Sequence, residues 1–484
     1  PLVYCLYLKR EFSLEYNFNY PTMTHFSHLI IGTGQALGTL LGKLIPTHES
    51  IGVIEANKVG GSCVNYGCTP TKTLVASAKA FHQAKRGDFY GFSSEGLTLD
   101  FEKVRERMNS IRNGGSTGLT SWMNSTSNVE LIKGTARFIE NKKVEVAGEI
   151  YTADTIYLNV GTRPKAPPIP GLDDINWLDS AGLLDLKEVP KHLLIIGGGY
   201  IGVEFAQVFR RFGSRVSIIQ RADQLIPRED KDVAKAVQSF LEEEGIEIYL
   251  NSNTSSATKN KNKVEVTIDR DGETINLVGD QLLIAAGRVP NSDTLNLENT
   301  DIKTNERGYI EVDILCETAV KDVYAVGDVN GYGGFTHTAV NDAEIVLDKF
   351  HGGDRTLEGR IPIYGLFTDP PLGRVGMTEK EALKSGRRVL KAIRPMDKIS
   401  RAKEMGETKG FAKLLVDADT DLILGASILG VGGDEIINMF ATIMHSDIPC
   451  RYYRKVVLVH PTVSELMPWI LDGIKEVKEQ NETI

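Results

Sequence analysis

The chain has 484 residues, 25% of them charged, and its 55 Lys+Arg against 64 Asp+Glu give a net charge of −9. That length predicts about three domains, and an acidic chain without a basic block speaks against nucleic acid as a partner. No run of 18 apolar residues reads as a membrane span, and five cysteines, three of them scattered, fit a reducing, cytoplasmic setting better than a secreted disulfide framework.

Residues 1–22 mix charges with aromatics, lack a signal peptide's apolar core, and precede the first methionine, Met23. They read as an upstream segment outside the fold. An apolar strand, His28 to Ile31, then runs into Gly32-Thr33-Gly34-Gln35-Ala36-Leu37-Gly38. Gly32 and Gly34 suit a dinucleotide-binding turn that lets backbone approach a pyrophosphate at a helix N-terminus. The third glycine of G-x-G-x-x-G would fall at 37, which is Leu. A second strand, Ile51 to Ile54, ends in Glu55, 23 residues after Gly32, where an acid grips a ribose hydroxyl.

Gly60 to Leu74 carries two cysteines five positions apart, Cys63 and Cys68, ahead of a helical run from Thr73 to Ala80. Pro70 suits a first helical turn, so Cys68 is predicted at a helix N-terminus, where free amides and the positive dipole end favour a thiolate. Lys72, four residues on, shares that face. This pattern points to a redox-active dithiol. The other readings are half of a zinc site or two unrelated buried cysteines, but zinc usually wants four ligands, and neither Cys316 nor Cys450 brings a second pair.

Phe101, Val104, Met108 and Ile111 are spaced as one buried helical face, and short β segments follow at Val129 to Phe138, Lys143 to Val146 and Asp154 to Gly161. Pro164 to Pro170 reads as a linker. A second turn, Gly197-Gly198-Gly199-Tyr200-Ile201-Gly202, has all three glycines, Gly197, Gly199 and Gly202, in place after the strand Leu193 to Ile196. Its second strand, Val216 to Ile219, ends in Gln220-Arg221 rather than an acid. Arginine suits a 2′-phosphate, so Arg221, with Arg228 as a second cation, predicts NADP.

Asp280 to Gly287 parallels Asp154 to Gly161, with seven residues from Asp to Gly in each, so the two units read as an internal duplication holding two dinucleotides. A strand from Thr318 ends in Gly327-Asp328, whose carboxylate can meet a ribose or polyol hydroxyl. Beyond about 356 the pattern becomes that of a separate α+β domain, with strands at Gly410 to Val416 and Asp421 to Ile428 and a helix at Asp434 to Met444. Near its end, His460 with Glu465 five residues later forms a possible oriented acid–base pair.

Four features together resemble the flavin-dependent pyridine nucleotide–disulfide oxidoreductases: G-G-x-C-V-N-x-G-C-x-P-T-K at 60–72, the Gly197 turn, Tyr324-Ala325-Val326-Gly327-Asp328 and His460-Pro461-Thr462-x-x-Glu465. The likeness runs from about 27 to 472. It implies an α/β protein with two Rossmann-like domains, FAD-binding at 23–162 and 289–355 and NAD(P)-binding at 163–288. A C-terminal α+β dimerisation domain would span 356–484, making a homodimer.

By this resemblance Gly32, Gly34, Glu55, Lys72 and Asp328 would bind FAD, and Gly197, Gly199, Gly202, Arg221 and Arg228 the nicotinamide cofactor. Cys68 would lie nearest the flavin and form a charge-transfer pair, Cys63 would exchange with substrate, Lys72 would pair with Glu204, and Tyr200 would cover the nicotinamide pocket. His460, oriented by Glu465, would come from the partner subunit as acid–base on Cys63.

The segment Phe367 to Met377 looks most like mercuric reductases, but no heavy-metal domain precedes Met23 and no cysteine pair ends the chain. The expectation is therefore an NADPH- and FAD-dependent enzyme acting on a disulfide or other small electrophile. Direct mercuric-ion reduction and a non-catalytic flavin redox sensor are the alternatives.

Overall fold

The computed structural model describes residues 23–477, so the segment 1–22 lies outside the described residues. Met23–Ile31, with Leu29 and Ile30 wholly buried, is the central strand of the first sheet. It lies between Ile51–Glu55 and Glu149–Leu158, both parallel to it, while Val129–Lys133 extends one side in parallel. Helices cover both faces of such a sheet, which is why its strands read as apolar runs rather than as alternation. Arg137–Glu140 and Lys143–Val146 add an antiparallel ribbon to Glu149–Leu158. Val323–Ala325 returns from far along the chain to pair, in parallel, with the end of that same strand.

The second sheet repeats the plan. Its parallel strands lie in the order Glu247–Tyr249, Arg215–Ile219, His192–Ile196 and Gln281–Ile284. An antiparallel meander, Ser252–Asn260, Lys263–Arg270 and Glu273–Gly279, takes the place of the first unit's ribbon. The two units are joined by a two-stranded antiparallel crossing, Thr162–Pro164 against Arg288–Pro290. The third sheet, six strands from Ile363–Leu366 to Lys475–Val477, is antiparallel and packs the helix Gly433–His445 on one face. Among the described residues no helix is long and apolar enough to cross a membrane.

Two expectations from the sequence are corrected. The helix of Phe101 runs on to Asn124, and Ile111 is 43% exposed while Met108 and Arg112 are buried. The inward position one turn after Met108 falls on Arg112, whose guanidinium bonds Asp185 at 2.6 Å, so a paired charge takes the place given to an apolar side chain. The strand expected from Thr318 is confined to Val323–Ala325, because Thr318 N–H bonds the Val323 carbonyl in a turn through Asp322, at φ 60°.

The glycine turns explain how the sheets meet their helices. At Gly202 a Cβ would stand 2.0 Å from the Gly197 carbonyl oxygen, so the helix Tyr200–Phe212 can approach its strand only without a side chain. In the first unit Leu37 fills the corresponding place as a core residue, and Gly38 faces open space. Gly202→Ala should therefore cost about 1–3 kcal/mol through forced backbone displacement. Gly38→Ala, in the helix Ala36–Leu44, should be neutral or stabilise by about 0.4–1 kcal/mol. Chemical denaturation of both variants checks the contrast, and equal effects would contradict it.

Candidate active site

Cys63 and Cys68 belong to different helices. Gly61–Tyr66 carries Cys63, the chain breaks at Gly67, and Cys68 opens the helix Cys68–Lys85, the N-terminal position expected for it. Both cysteines are free thiols here, as are Cys316 and Cys450. The Thr336 hydroxyl, in the first turn of the helix Thr336–Phe350, lies 3.2 Å from Cys68 Sγ and 3.3 Å from Cys63 Sγ. The two sulfurs are electrostatically unequal. The hydrogen bond from Cys63, helped by Thr336 and Lys72, lowers the thiol of the exposed Cys68 to a pKa of about 6 against some desolvation. The same hydrogen bond and burial push Cys63 far above the ordinary thiol range. The pair therefore holds one thiolate and one thiol, with the shared proton on Cys63.

Lys72 Nζ lies 2.7 Å from Glu204 Oε2 and 4.5 Å from the centre of the Phe367 ring. Glu204, 5% exposed, also accepts the Phe367 amide at 2.9 Å. This carboxylate thus joins the dithiol helix, the helix of the second glycine turn and the connection between the first two strands of the third sheet. Next to the dithiol stands an aromatic wall. Phe335 stacks on Tyr364 with ring centroids 5.2 Å apart and on His337 at 5.4 Å, and Tyr200 leans against Phe335 and Tyr364 at 6.3 and 5.7 Å.

Both glycine turns have the form of a pyrophosphate cradle. The helix starts behind them, at Gln35 and Gly199, carry no side-chain cap, so their amides are free for an anion. Gly32 and Gly197 stand at φ 95° and 112°, where a Cβ would strike the Asn159 and Ala285 carbonyl oxygens at 2.4 Å. A Cβ at Gly34 would meet Asn159 Oδ1 at 2.9 Å, whereas Gly199 faces open space. Glu55 caps the first turn, accepting hydrogen bonds from the Thr33 amide at 3.0 Å and from its hydroxyl. In the second unit Gln220 takes that place, accepting from the Gly198 amide at 3.1 Å. Arg221 and Arg228 are exposed and without a bonding partner among the described residues. Asp328, half-buried, accepts the Thr162 hydroxyl at 2.8 Å.

His460 Nδ1 sits 2.9 and 3.0 Å from the two Glu465 oxygens, which leaves Nε2 free at an exposed position. Among the described residues the hydrogen bonds of this ring go to Glu465 and none goes to the dithiol. No motif in the sequence marked Thr336, Phe335 or Tyr364 as site residues, and Phe367 stood out only as the head of the segment that resembles mercuric reductases. The position of Thr336, just after the Gly-Asp turn and at the head of a helix, offered a signal.

The split between the two thiols is open to measurement. Alkylation of the reduced protein by iodoacetamide should follow Cys68 with a midpoint near pH 6, the thiolate being present above it, while Cys63 stays unlabelled at neutral pH. A hydrogen bond to a charged group is worth about 1.5–3 kcal/mol, so Thr336→Val should raise the midpoint by about one pH unit or more. Peptide mapping that finds Cys63 labelled first would reverse the assignment.

Comparison with known proteins places this geometry in a family. Residues 26–343 match the Pyridine nucleotide-disulphide oxidoreductase family, and residues 363–471 match its dimerisation domain. The chain is 37% identical to the probable pyridine nucleotide-disulfide oxidoreductase RclA of Escherichia coli, covering 94% of this chain and 100% of RclA. It is 31% identical to dihydrolipoyl dehydrogenase of Geobacillus stearothermophilus, covering 90% and 94%. It is 32% identical to mercuric reductase of Lysinibacillus sphaericus, covering 85% and 76%. The solved structure of HOCl-induced flavoprotein disulfide reductase RclA from Escherichia coli superposes with a TM-score of 0.84 at 36% identity, covering 92% of this chain and 99% of that one. A Cu(II) complex of the same protein gives 0.85 at 36% identity, covering 93% and 99%. The chain belongs to the pyridine nucleotide–disulphide oxidoreductases.

Proposed function

We propose that this chain is a homodimeric FAD enzyme that passes electrons from NADPH to the Cys63–Cys68 pair and on to a disulfide or other small electrophile. The observation that carries the reading is the dithiol site: Cys68 at a helix start and Cys63 share the Thr336 hydroxyl one turn from the Lys72–Glu204 pair, an arrangement that favours the thiolate at Cys68 and leaves Cys63 in need of a base. Segments 23–162 and 289–355 would hold FAD through Gly32, Gly34, Glu55, Lys72 and Asp328. Segment 163–288 would hold the nicotinamide cofactor through Gly197, Gly199, Gly202, Tyr200, Arg221 and Arg228, and the segment from 356 on would make the dimer. The bound flavin would relay two electrons from the nicotinamide to the cysteine pair.

The chain's own residues account for the exchange. His460 of the partner subunit, held at Nδ1 by Glu465, takes the Cys63 proton at Nε2, and the Cys63 thiolate attacks one sulfur of the substrate disulfide. The departing thiolate collects that proton. Cys68 then attacks Cys63 Sγ, closing the protein disulfide and releasing the second substrate thiolate. The raised Cys63 pKa makes the base necessary, since the unassisted thiol would be almost wholly protonated at neutral pH.

A second reading, direct reduction of a metal ion by the same thiols, draws on the Cu(II) complex of the solved relative and on the mercuric reductases among the relatives. It expects metal-stimulated NADPH oxidation that survives loss of His460.

General acid–base catalysis contributes about 10²–10⁴-fold, so His460→Ala should slow disulfide turnover by that order. The rate at which NADPH bleaches the bound flavin should hardly change, and Glu465→Gln should cost less. Mixing inactive His460→Ala and Cys63→Ser chains should restore activity, since one site of each mixed dimer keeps both groups. No rescue after confirmed subunit exchange would refute a shared site.

Cofactor choice has its own test. A charge-assisted contact worth about 1.5–3 kcal/mol from Arg221 should give a preference for NADPH over NADH of about ten- to a hundredfold in kcat/KM. Arg221→Glu should erode or reverse it, and equal efficiency with both cofactors in the unmodified protein would remove the 2′-phosphate assignment.

A further inference from the structure

Glu229 is a buried carboxylate that the reaction outlined above does not use. Its side chain is wholly shielded from solvent, and it follows Arg228 in the loop between Arg215–Ile219 and the helix Lys231–Glu243. Oε1 accepts two phenolic hydrogens, from Tyr200 at 2.9 Å and from Tyr364 at 2.7 Å. Among the described residues Oε2 has no hydrogen-bond partner, and Arg374 Nη1 lies 3.7 Å from it. Arg374 is itself buried in the third sheet, held by Ser427 at 2.6 Å and Asp230 at 3.2 Å. The carboxylate is therefore a fixed charge, anchored from the third sheet, with two tyrosines hanging from one oxygen. Burial, then the nearby carboxylate, raise both phenols above their ordinary pKa, so each remains a donor.

Tyr200 opens the helix behind the Gly197 turn, and its ring leans on Phe335, the residue before Thr336. A ring in that place can move only if its hydroxyl leaves Glu229. We propose that Glu229 is a positioning residue that latches Tyr200 closed, so that nicotinamide entry requires breaking the Tyr200–Glu229 hydrogen bond. This rests on the reading above in which Tyr200 covers the nicotinamide pocket. Tyr364 explains why the latch can open. When Tyr200 swings away, Tyr364 still satisfies Oε1, and no buried carboxylate oxygen is left bare on that side. The geometry thus makes opposite predictions for two neighbouring side chains. Weakening the carboxylate eases opening, and removing the second phenol hinders it.

The test is rapid-mixing reduction of the purified FAD-loaded dimer by NADPH and, separately, by NADH, read as the apparent nucleotide dissociation constant and the limiting rate. Glu229→Gln should tighten apparent nucleotide binding by about tenfold, the order expected for exchanging a charge-assisted hydrogen bond for a neutral one. Tyr364→Phe should weaken it by a similar factor, and in both variants the change should fall on the dissociation constant more than on the limiting rate. Tyr200→Phe should tighten binding as Glu229→Gln does, and the two together should give no more than either alone, since they remove the same contact. If Glu229→Gln does not fold, the opposed signs of Tyr200→Phe and Tyr364→Phe still decide. Additive effects, shifts of Glu229→Gln and Tyr364→Phe in the same direction, or unshifted constants would overturn the latch. Failure of both nucleotides to reduce the unmodified protein would overturn the functional reading and the latch with it, whereas normal reduction with unshifted constants sinks the latch alone.

Discussion

The arrangement hinges on one buried carboxylate. Glu204 projects from the helix Tyr200–Phe212 and is shared between Lys72 of the dithiol helix and the Phe367 amide, in the connection between the first two strands of the third sheet. A buried charge is tolerated only when its partners are in place, and stripping one partner from such a group is far more costly than the pair is stabilising. Neither the dithiol helix nor the third unit can shift by an ångström or two without stranding it. One and two turns further along the same helix, Gln207 and Arg211 repeat the arrangement. Gln207 exchanges two hydrogen bonds with the Asp369 backbone, and Arg211 pairs with Asp369 at 2.7 Å and with Glu244 at 2.8 Å. Lys79 of the dithiol helix meets Asp369 at 3.0 Å. One helix therefore sets the position of Tyr200 at its head and, through its flank, that of Cys68.

The contrast between the two cysteines comes from the same placement. Five residues of separation bring them together, but which sulfur holds the proton depends on what surrounds each. Cys68 has a helix start, a cation one turn on and the Thr336 hydroxyl. Cys63 has burial and a negative neighbour. Such a pair is unequal before anything binds: one sulfur is favoured as the thiolate and the other keeps its proton.

Much of this was legible in the chain because it rests on local rules. Apolar runs ending in glycine turns located both parallel sheets, and the missing acid at Gln220 could be read directly. Pro70 and the spacing to Lys72 located the dithiol helix. What could not be read depends on neighbours distant in sequence. Arg112 displaces Ile111 from the inner face because Asp185 waits there, 73 residues on. Thr336 reaches the sulfurs from 268 and 273 positions away. Tyr364 and Glu229 meet across 135 residues. No periodicity in either segment marks them, because a hydrogen bond between two units leaves no repeat in the sequence of either.

The crossing between the first two units carries one more consequence. The chain leaves the first sheet through Thr162–Pro164 and comes back through Arg288–Pro290, and these strands pair in register, with Arg288 bonded to the Thr162 hydroxyl and carbonyl at 2.7 and 2.6 Å. Entry and exit are therefore a single doorway. Everything between them forms a cassette whose removal or replacement leaves the ends of the first unit already side by side, a short loop apart. A fold so arranged can exchange its second dinucleotide turn, with the Gln220-Arg221 pair that follows it, as one piece, provided the incoming piece keeps Glu204 and the apolar face of its helix for the dithiol helix to pack on.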